Sequence, residues 1–250
     1  QRPALFVAPG SPTLILDPAA PAPVLLSQRA APAPRPRAVL VISAHWETAI
    51  PTVSAAAAPE TIHDFYGFPA ELYRRHYPAP GSPETAAQVV GLLKKAGLPA
   101  AAHPSRGLDH GAWAPLSLMW PDASVPALQL SVQPQADAAA HFALGRALRP
   151  LLDDGVLVLG SGSATHNLRA LDWRSTSFAD WLTSRVTAGD ETAAADWLRQ
   201  APAARKAHPT DDHFLPLPAA WGAAGPGARG ALLHDSYMMG SLGMQAYRFD

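Results

Sequence analysis

Ala38-Val39-Leu40-Val41-Ile42-Ser43-Ala44, which delivers His45, and Val156-Leu157-Val158-Leu159-Gly160-Ser161-Gly162, which leads within a few residues to His166, are the stretches that decide the fold. Each is short, aliphatic and free of charge, the composition of a strand buried on both faces of a mostly parallel sheet. Each then passes through small residues to a histidine. In open α/β sheets ligands collect outside the carboxyl ends of the strands, so two imidazoles delivered there point to a site rather than to packing.

Outward from these runs, strand and helix patterns alternate. The expected fold is therefore α/β: one domain over residues 1–250 with a central, mostly parallel sheet flanked by helices. A first strand is expected over Leu5–Ala8, stopped by Pro9-Gly10-Ser11-Pro12. A short helical piece is expected around Val24-Leu25-Leu26, and short strands over Thr52–Ser54 and Ala127–Val132. Ser82 caps a helix that begins at Pro83 and ends near Gly97. Further helices are expected from the Asp109-His110 turn through Met119, over Ala136–Leu152, Phe178–Val186 and Glu191–Leu198, and just after Asp212-His213. Tyr237–Phe249 reads as a closing Met/aromatic segment. Residues 59–83 form a long loop crowded with His63, Asp64, Phe65, Tyr66, Phe68, Tyr73, His76 and Tyr77, and a loop so aromatic should line a pocket or an oligomer interface.

Composition narrows the chemistry. The net charge is −1, only 16% of residues are charged, and there is no cysteine. No basic cluster supports a nucleic-acid or anionic-membrane partner. Disulfides, thiolate ligands and a cysteine nucleophile are excluded, so any metal is held by His, Asp or Glu. No apolar run reaches the ~18 residues that span a bilayer. The chain begins at Gln1, so removal of a preceding segment is expected, with the cytoplasm as the default compartment. Low charge and 7 tryptophans make a homo-oligomer an expectation as well. Gly160-Ser161-Gly162-Ser163-Ala164 meets neither the G-x-S-x-G nucleophile elbow nor a dinucleotide glycine spacing. No dinucleotide-type cofactor site is expected.

Seven segments, in order along the chain, carry a family resemblance: Pro3-Ala4-Leu5-Phe6 running into Gly10-Ser11-Pro12; Ser43-Ala44-His45-Trp46; Thr61-Ile62-His63-Asp64-Phe65 with Gly67-Phe68-Pro69; His76-Tyr77-Pro78-Ala79-Pro80-Gly81; Leu108-Asp109-His110-Gly111-Ala112-Trp113; Thr165-His166-Asn167-Leu168; and Asp212-His213-Phe214-Leu215-Pro216. Together they resemble the class III extradiol ring-cleavage dioxygenases, in the branch of 4,5-DOPA extradiol dioxygenase-like proteins. The resemblance implies an oxidoreductase that opens the ring of a catecholic, DOPA-like substrate with O2 and a non-haem metal, Fe(II) for activity and Zn(II) possible in its place. It implies small-molecule partners only, the catechol and O2. Carried over motif by motif, His45 and His213 look like metal ligands, His166 like a third ligand or a base, and His110 like the acid–base histidine at the substrate. The metal set is thus His45, His166 and His213, and the catalytic pair His110 and His166. His63 belongs to the aromatic loop, while His76, His103, His141, His208 and His234 read as surface or structural histidines.

One position departs from the family pattern. The family opens on Gly-His-Gly-Ser-Pro, whose histidine is a ligand, whereas this chain has Ala8-Pro9-Gly10-Ser11-Pro12, and proline offers no side-chain donor. Three arrangements stay open: a three-imidazole site on His45, His166 and His213; a carboxylate from Asp212 completing a two-His-one-carboxylate face; or a site without metal. The alternatives in function are a relative that binds an aromatic ligand without ring opening, and a zinc-dependent hydrolase.

Overall fold

The computed structural model describes residues 2–17, 19–20, 22–23, 34–168 and 174–250. The helical piece expected at Val24-Leu25-Leu26 lies outside them. In chain order the main elements are β1 (Ala4–Val7), β2 (Ala38–Glu47), β3 (Thr52–Ser54), α1 (Pro83–Lys95), β4 (Ala101–His103), α2 (His110–Met119), β5 (Ala127–Val132), α3 (Ala138–Leu148), β6 (Val156–Ser161), α4 (Arg174–Ala188), α5 (Pro216–Ala224), β7 (Gly230–His234), β8 (Tyr237–Met238), β9 (Leu242–Gly243) and β10 (Ala246–Phe249).

An eight-stranded sheet runs in the order β4-β3-β5-β2-β6-β1-β10-β7. Its centre is parallel: β2 pairs with β5 and β6, and β6 with β1. The β1–β10 and β10–β7 pairs are antiparallel, as is the single register pair of β3 with β5. The central strands are buried on both faces, which is why they read as unbroken apolar runs. Alternation within them divides the core. Leu40, Ile42, Val156 and Val158 pack with α1, α3, α4 and α5 on one face, where Trp221, Phe178 and Phe142 fill the gap. Val39, Val41, Leu157 and Leu159 face α2 and the 59–83 loop on the other, against Trp113, Tyr77, Leu72 and Phe65.

The central elements match the sequence expectation, and the corrections fall at helix breaks and sheet edges. The helix expected over Ala136–Leu152 is α3 followed by a separate turn, Pro150–Asp153, because proline cannot continue a hydrogen-bonded helix from the preceding turn. Glu191–Leu198 divides into Glu191–Ala195 and Trp197–Gln200 around Asp196, whose amide bonds back to Thr192 and Ala193. The Tyr237–Phe249 segment is the β8–β9 hairpin followed by β10, which joins the main sheet.

Candidate active site

Register sets the level of the site. Val7 and Ser43 both align with Ser161, so the ends of β1 and β6 lie level with Ser43 of β2. Two residues further on stand Pro9, His45 and Ser163. His45 is fixed through its neighbour: the Ser43 hydroxyl donates to both oxygens of the buried Asp109 carboxylate (2.9 and 3.1 Å) and accepts the His45 amide (3.2 Å). Asp109 also accepts from Gln129 Nε2 of β5 (2.8 Å) and Arg106 (3.1 Å), and its own amide donates to Gln129 Oε1 (2.7 Å). Asp109 immediately precedes α2, whose first residue is His110. One buried carboxylate thus locks two strands and a helix start together, and brings the His45 and His110 rings to 4.1 Å. Gly111 makes that approach possible, since a Cβ there would lie 2.8 Å from Ser43 Oγ and 3.0 Å from His45 Cδ2.

The other half of the site is built by close main-chain approach. A side chain at Gly162 would collide with the carbonyl oxygen of His213, and the next amide, Ser163, donates to that same carbonyl (2.9 Å). The small residues after β6 therefore seat the turn that carries His213, rather than cradling a phosphate. His166 is held from behind, its amide donating to the Ala207 carbonyl (2.8 Å), while Thr165 Oγ1 donates to Ser241 O (2.6 Å). The His166 and His213 rings stack face to face, 3.5 Å apart and within 5° of parallel. His45 meets His213 edge-on at 4.9 Å.

These four histidines line one cavity of about 280 Å³ with Pro9, Gly10, Ser11, Pro12, Phe65, Phe68, Ser163, Leu168, Met239 and Leu242. No Asp, Glu, Lys or Arg is among the described lining residues. Met239 reaches the wall from the β8–β9 turn with φ of +52°, a left-handed conformation that costs a non-glycine residue energy and that its surroundings must impose. Three of the imidazoles, His45, His166 and His213, are favoured in the neutral form. Burial, reinforced by His110 and His213, lowers the His45 pKa to about 4, and burial lowers His166 and His213 too. Neutral imidazole is the form that can coordinate a cation or accept a proton.

Two of the rings are tethered to carboxylates. Asp212 Oδ2 accepts from His213 Nδ1 (2.5 Å). Burial would raise the Asp212 carboxyl, but its bonds to His213 and Thr210 outweigh it and hold the group well below the usual carboxylate range. Asp64 Oδ2 accepts from His110 Nδ1 (2.9 Å), and its Oδ1 accepts the His110 amide (3.0 Å). Of the predicted residues, His45, His110, His166 and His213 thus share a single cavity. His63 is not in its lining and donates instead to the Arg75 carbonyl (2.8 Å) within the aromatic loop. That loop does line the pocket, through Phe65 and Phe68. His141 and His208 are buried structural residues, while His76 and His103 are exposed.

Among the described residues, one group of His and acidic side chains brings its donor atoms within 4.8 Å of one another: His45, Asp64 and His110. Sequence reasoning did not assign Asp64. Its only local signal is an acidic residue inside an otherwise aromatic stretch, and nothing in spacing links position 64 to position 110. His45 and His213 suit a divalent cation: both are neutral imidazoles, and a carboxylate on the far nitrogen of His213 orients the ring as in known metal-ligating histidines. His166 lies in a plane parallel to that of His213, so the in-plane lone pairs of the two rings run side by side instead of converging.

Residues 25–249 match the family described as the catalytic LigB subunit of aromatic ring-opening dioxygenase. The chain is 41% identical over 255 aligned positions to the 4,5-DOPA dioxygenase extradiol of Beta vulgaris, covering 98% of this chain and 95% of that one. It is 38% identical over 234 positions to the 4,5-DOPA dioxygenase extradiol of Escherichia coli (strain K12), covering 87% and 83%. The crystal structure of an uncharacterized protein from Escherichia coli K12 is similar over 100% of both chains, with a TM-score of 0.78 at 30% identity. By sequence as well as by architecture, this chain belongs to the LigB family of class III extradiol, aromatic ring-opening dioxygenases.

Proposed function

We propose that this protein opens the ring of a catecholic, DOPA-like substrate with O2 at the four-histidine cavity. The observation that carries the reading is the convergence of His45, His110, His166 and His213, from four separate segments, on one cavity walled by Phe65, Phe68, Leu168, Met239 and Leu242. Aromatic and aliphatic walls receive the flat ring, and the imidazoles face its hydroxyls. Both atoms of O2 end in the product of such a reaction, so no external reductant is needed.

His45 and His213 hold the metal, with Asp212 orienting His213. His166 fits a ligand or a base by motif, and its plane, parallel to that of His213, favours the base. His110 accepts a proton from one catechol hydroxyl and returns it as the ring opens, work suited to a neutral imidazole. The metal is Fe(II), which supplies the one-electron redox chemistry that lets O2 react with the ring; zinc has no redox function. Water is displaced by the apolar wall, which strengthens each of these polar contacts.

The test is to add Fe(II) to metal-free protein under anaerobic conditions, then air with L-DOPA and with simple catechols. A yellow ring-opened product forming with stoichiometric O2 uptake is the expected result. Pro9 in the cavity wall favours a second reading, a zinc-bound or metal-depleted relative that binds an aromatic ligand. Absence of both colour and O2 uptake, with saturable catechol binding, would establish that second reading.

A further inference from the structure

Asp64 has no part in the roles given to the histidines, yet its carboxylate is more completely committed to one of them than any other acid at the cavity. Oδ2 lies 2.9 Å from His110 Nδ1 and Oδ1 lies 3.0 Å from the His110 amide nitrogen. The His110 side chain is 7% exposed and that of Asp64 is 23% exposed, so the imidazole is buried while the carboxylate reaches it from the solvent side. An ionised carboxylate only accepts hydrogen bonds, so the Nδ1 that faces it must carry hydrogen. In a neutral imidazole the other nitrogen, Nε2, is then bare.

We propose that Asp64 is a positioning residue that fixes His110 as its Nδ1–H tautomer, so that a bare Nε2 meets the incoming substrate as a proton acceptor. The assignment of Nε2 to a substrate proton rests on the ring-opening reading; the tautomer itself does not. Asp64 also belongs to the group of donor atoms shared with His45 and His110. Both of its oxygens are already engaged by the two donors of His110, which favours the orienting role over a cation ligand.

The backbone restricts what a carboxamide could do in this position. The His110 amide is an obligatory donor fixed at the start of α2, so in Asp64→Asn the new side chain must turn its one oxygen towards that amide. Its NH2 group then faces Nδ1, forces that nitrogen to accept, and moves the ring hydrogen to Nε2. Asp64→Asn therefore inverts the tautomer without changing size, as the equivalent change does where an aspartate orients a catalytic histidine.

The experiment is 15N NMR of 15N-histidine-labelled, metal-free protein near pH 7, with the His110 signals assigned by their loss in His110→Gln. The expected wild-type pattern is hydrogen on Nδ1 and a bare Nε2. Asp64→Asn should exchange the two nitrogens, and Asp64→Ala should give a mixture. Hydrogen on Nε2 in the wild type, or an unchanged pattern in Asp64→Asn, overturns the proposal, and the wild-type spectrum alone decides if the variants do not fold. In the Fe(II)-loaded enzyme kcat of Asp64→Asn should fall about 10²–10⁴-fold with KM nearly unchanged. Affinity for zinc, measured on the same variant, should stay the same, whereas a tenfold loss would make Asp64 a ligand and overturn the orienting role. If wild-type protein opens no catechol ring, the functional reading fails while the NMR result still stands or falls by itself.

Discussion

Pro9 stands in the cavity wall two residues beyond the end of β1, at the same level as His45 of β2. It gives that wall methylenes where a donor would complete the set with His45 and His213. Pro9→His should therefore raise zinc affinity at least tenfold, about 1.4 kcal/mol, by isothermal titration. An unchanged affinity would mean that position 9 does not address the ion proposed for His45 and His213. The Asp212–His213 pair makes a complementary case. Asp212→Asn keeps the shape and removes the charge from His213 Nδ1, so zinc affinity should drop roughly 10–100-fold while the circular dichroism spectrum stays that of the wild type. An equal loss of helix signal would instead assign Asp212 to the scaffold.

The elements that present these residues were legible in proportion to how deeply they are buried. β2, β5 and β6 are almost wholly buried, and the aliphatic residues at their starts, Ala38–Ile42, Ala127-Leu128 and Val156–Leu159, could be read from the sequence. α1 announced itself through Ser82, whose hydroxyl accepts the Thr85 amide (3.3 Å), and through Pro83. β7 and β10 gave no such signal: they are short edge-side strands whose burial is mixed, and their pairing is set by partners far away in the chain. The turn between β6 and His166 shows the same limit. Its glycines were visible, but their purpose, admitting the His213 main chain, depends on a contact with a distant part of the sequence. Gly162→Ala should consequently destabilise the protein by about 1–3 kcal/mol, the usual cost of overpacking, measured by urea unfolding, and should also weaken zinc binding as His213 is displaced. A neutral substitution would show that the turn and β6 are not in such close register.

Taken across the fold, the four histidines of the site could be nominated from motifs, and Asp212 could be nominated as a ligand beside His213, but the orienting bonds of the acids behind the rings could not be read. Asp64, Asp109 and Asp212 act through pairs that only the folded chain creates. A histidine outside the site also contributes to how stability responds to acid. His208 is fully buried among Phe178, Trp197 and Phe214, with Nε2 donating to the Ala164 carbonyl (2.7 Å), and burial lowers its pKa to about 3. Its unfolded value is 6.5, so as pH falls the unfolded chain takes up the proton first. The contribution of this group is fully present above pH 6.5 and declines as pH drops towards 3, by up to about 1.4 kcal/mol per pH unit. His208→Gln, which keeps a donor for Ala164, should flatten the decline in urea midpoints as pH falls below 6.5; an unaltered slope would assign it to other groups. Lastly, the fastening of this centre is done by amides, carbonyls and the Asp109 carboxylate, while the imidazole rings themselves hang from it as pendants. Such a frame does not depend on the rings it carries, so the cavity keeps its form whichever side chain stands at a position such as 9, and a change of pendant alters its chemistry without dismantling the vessel.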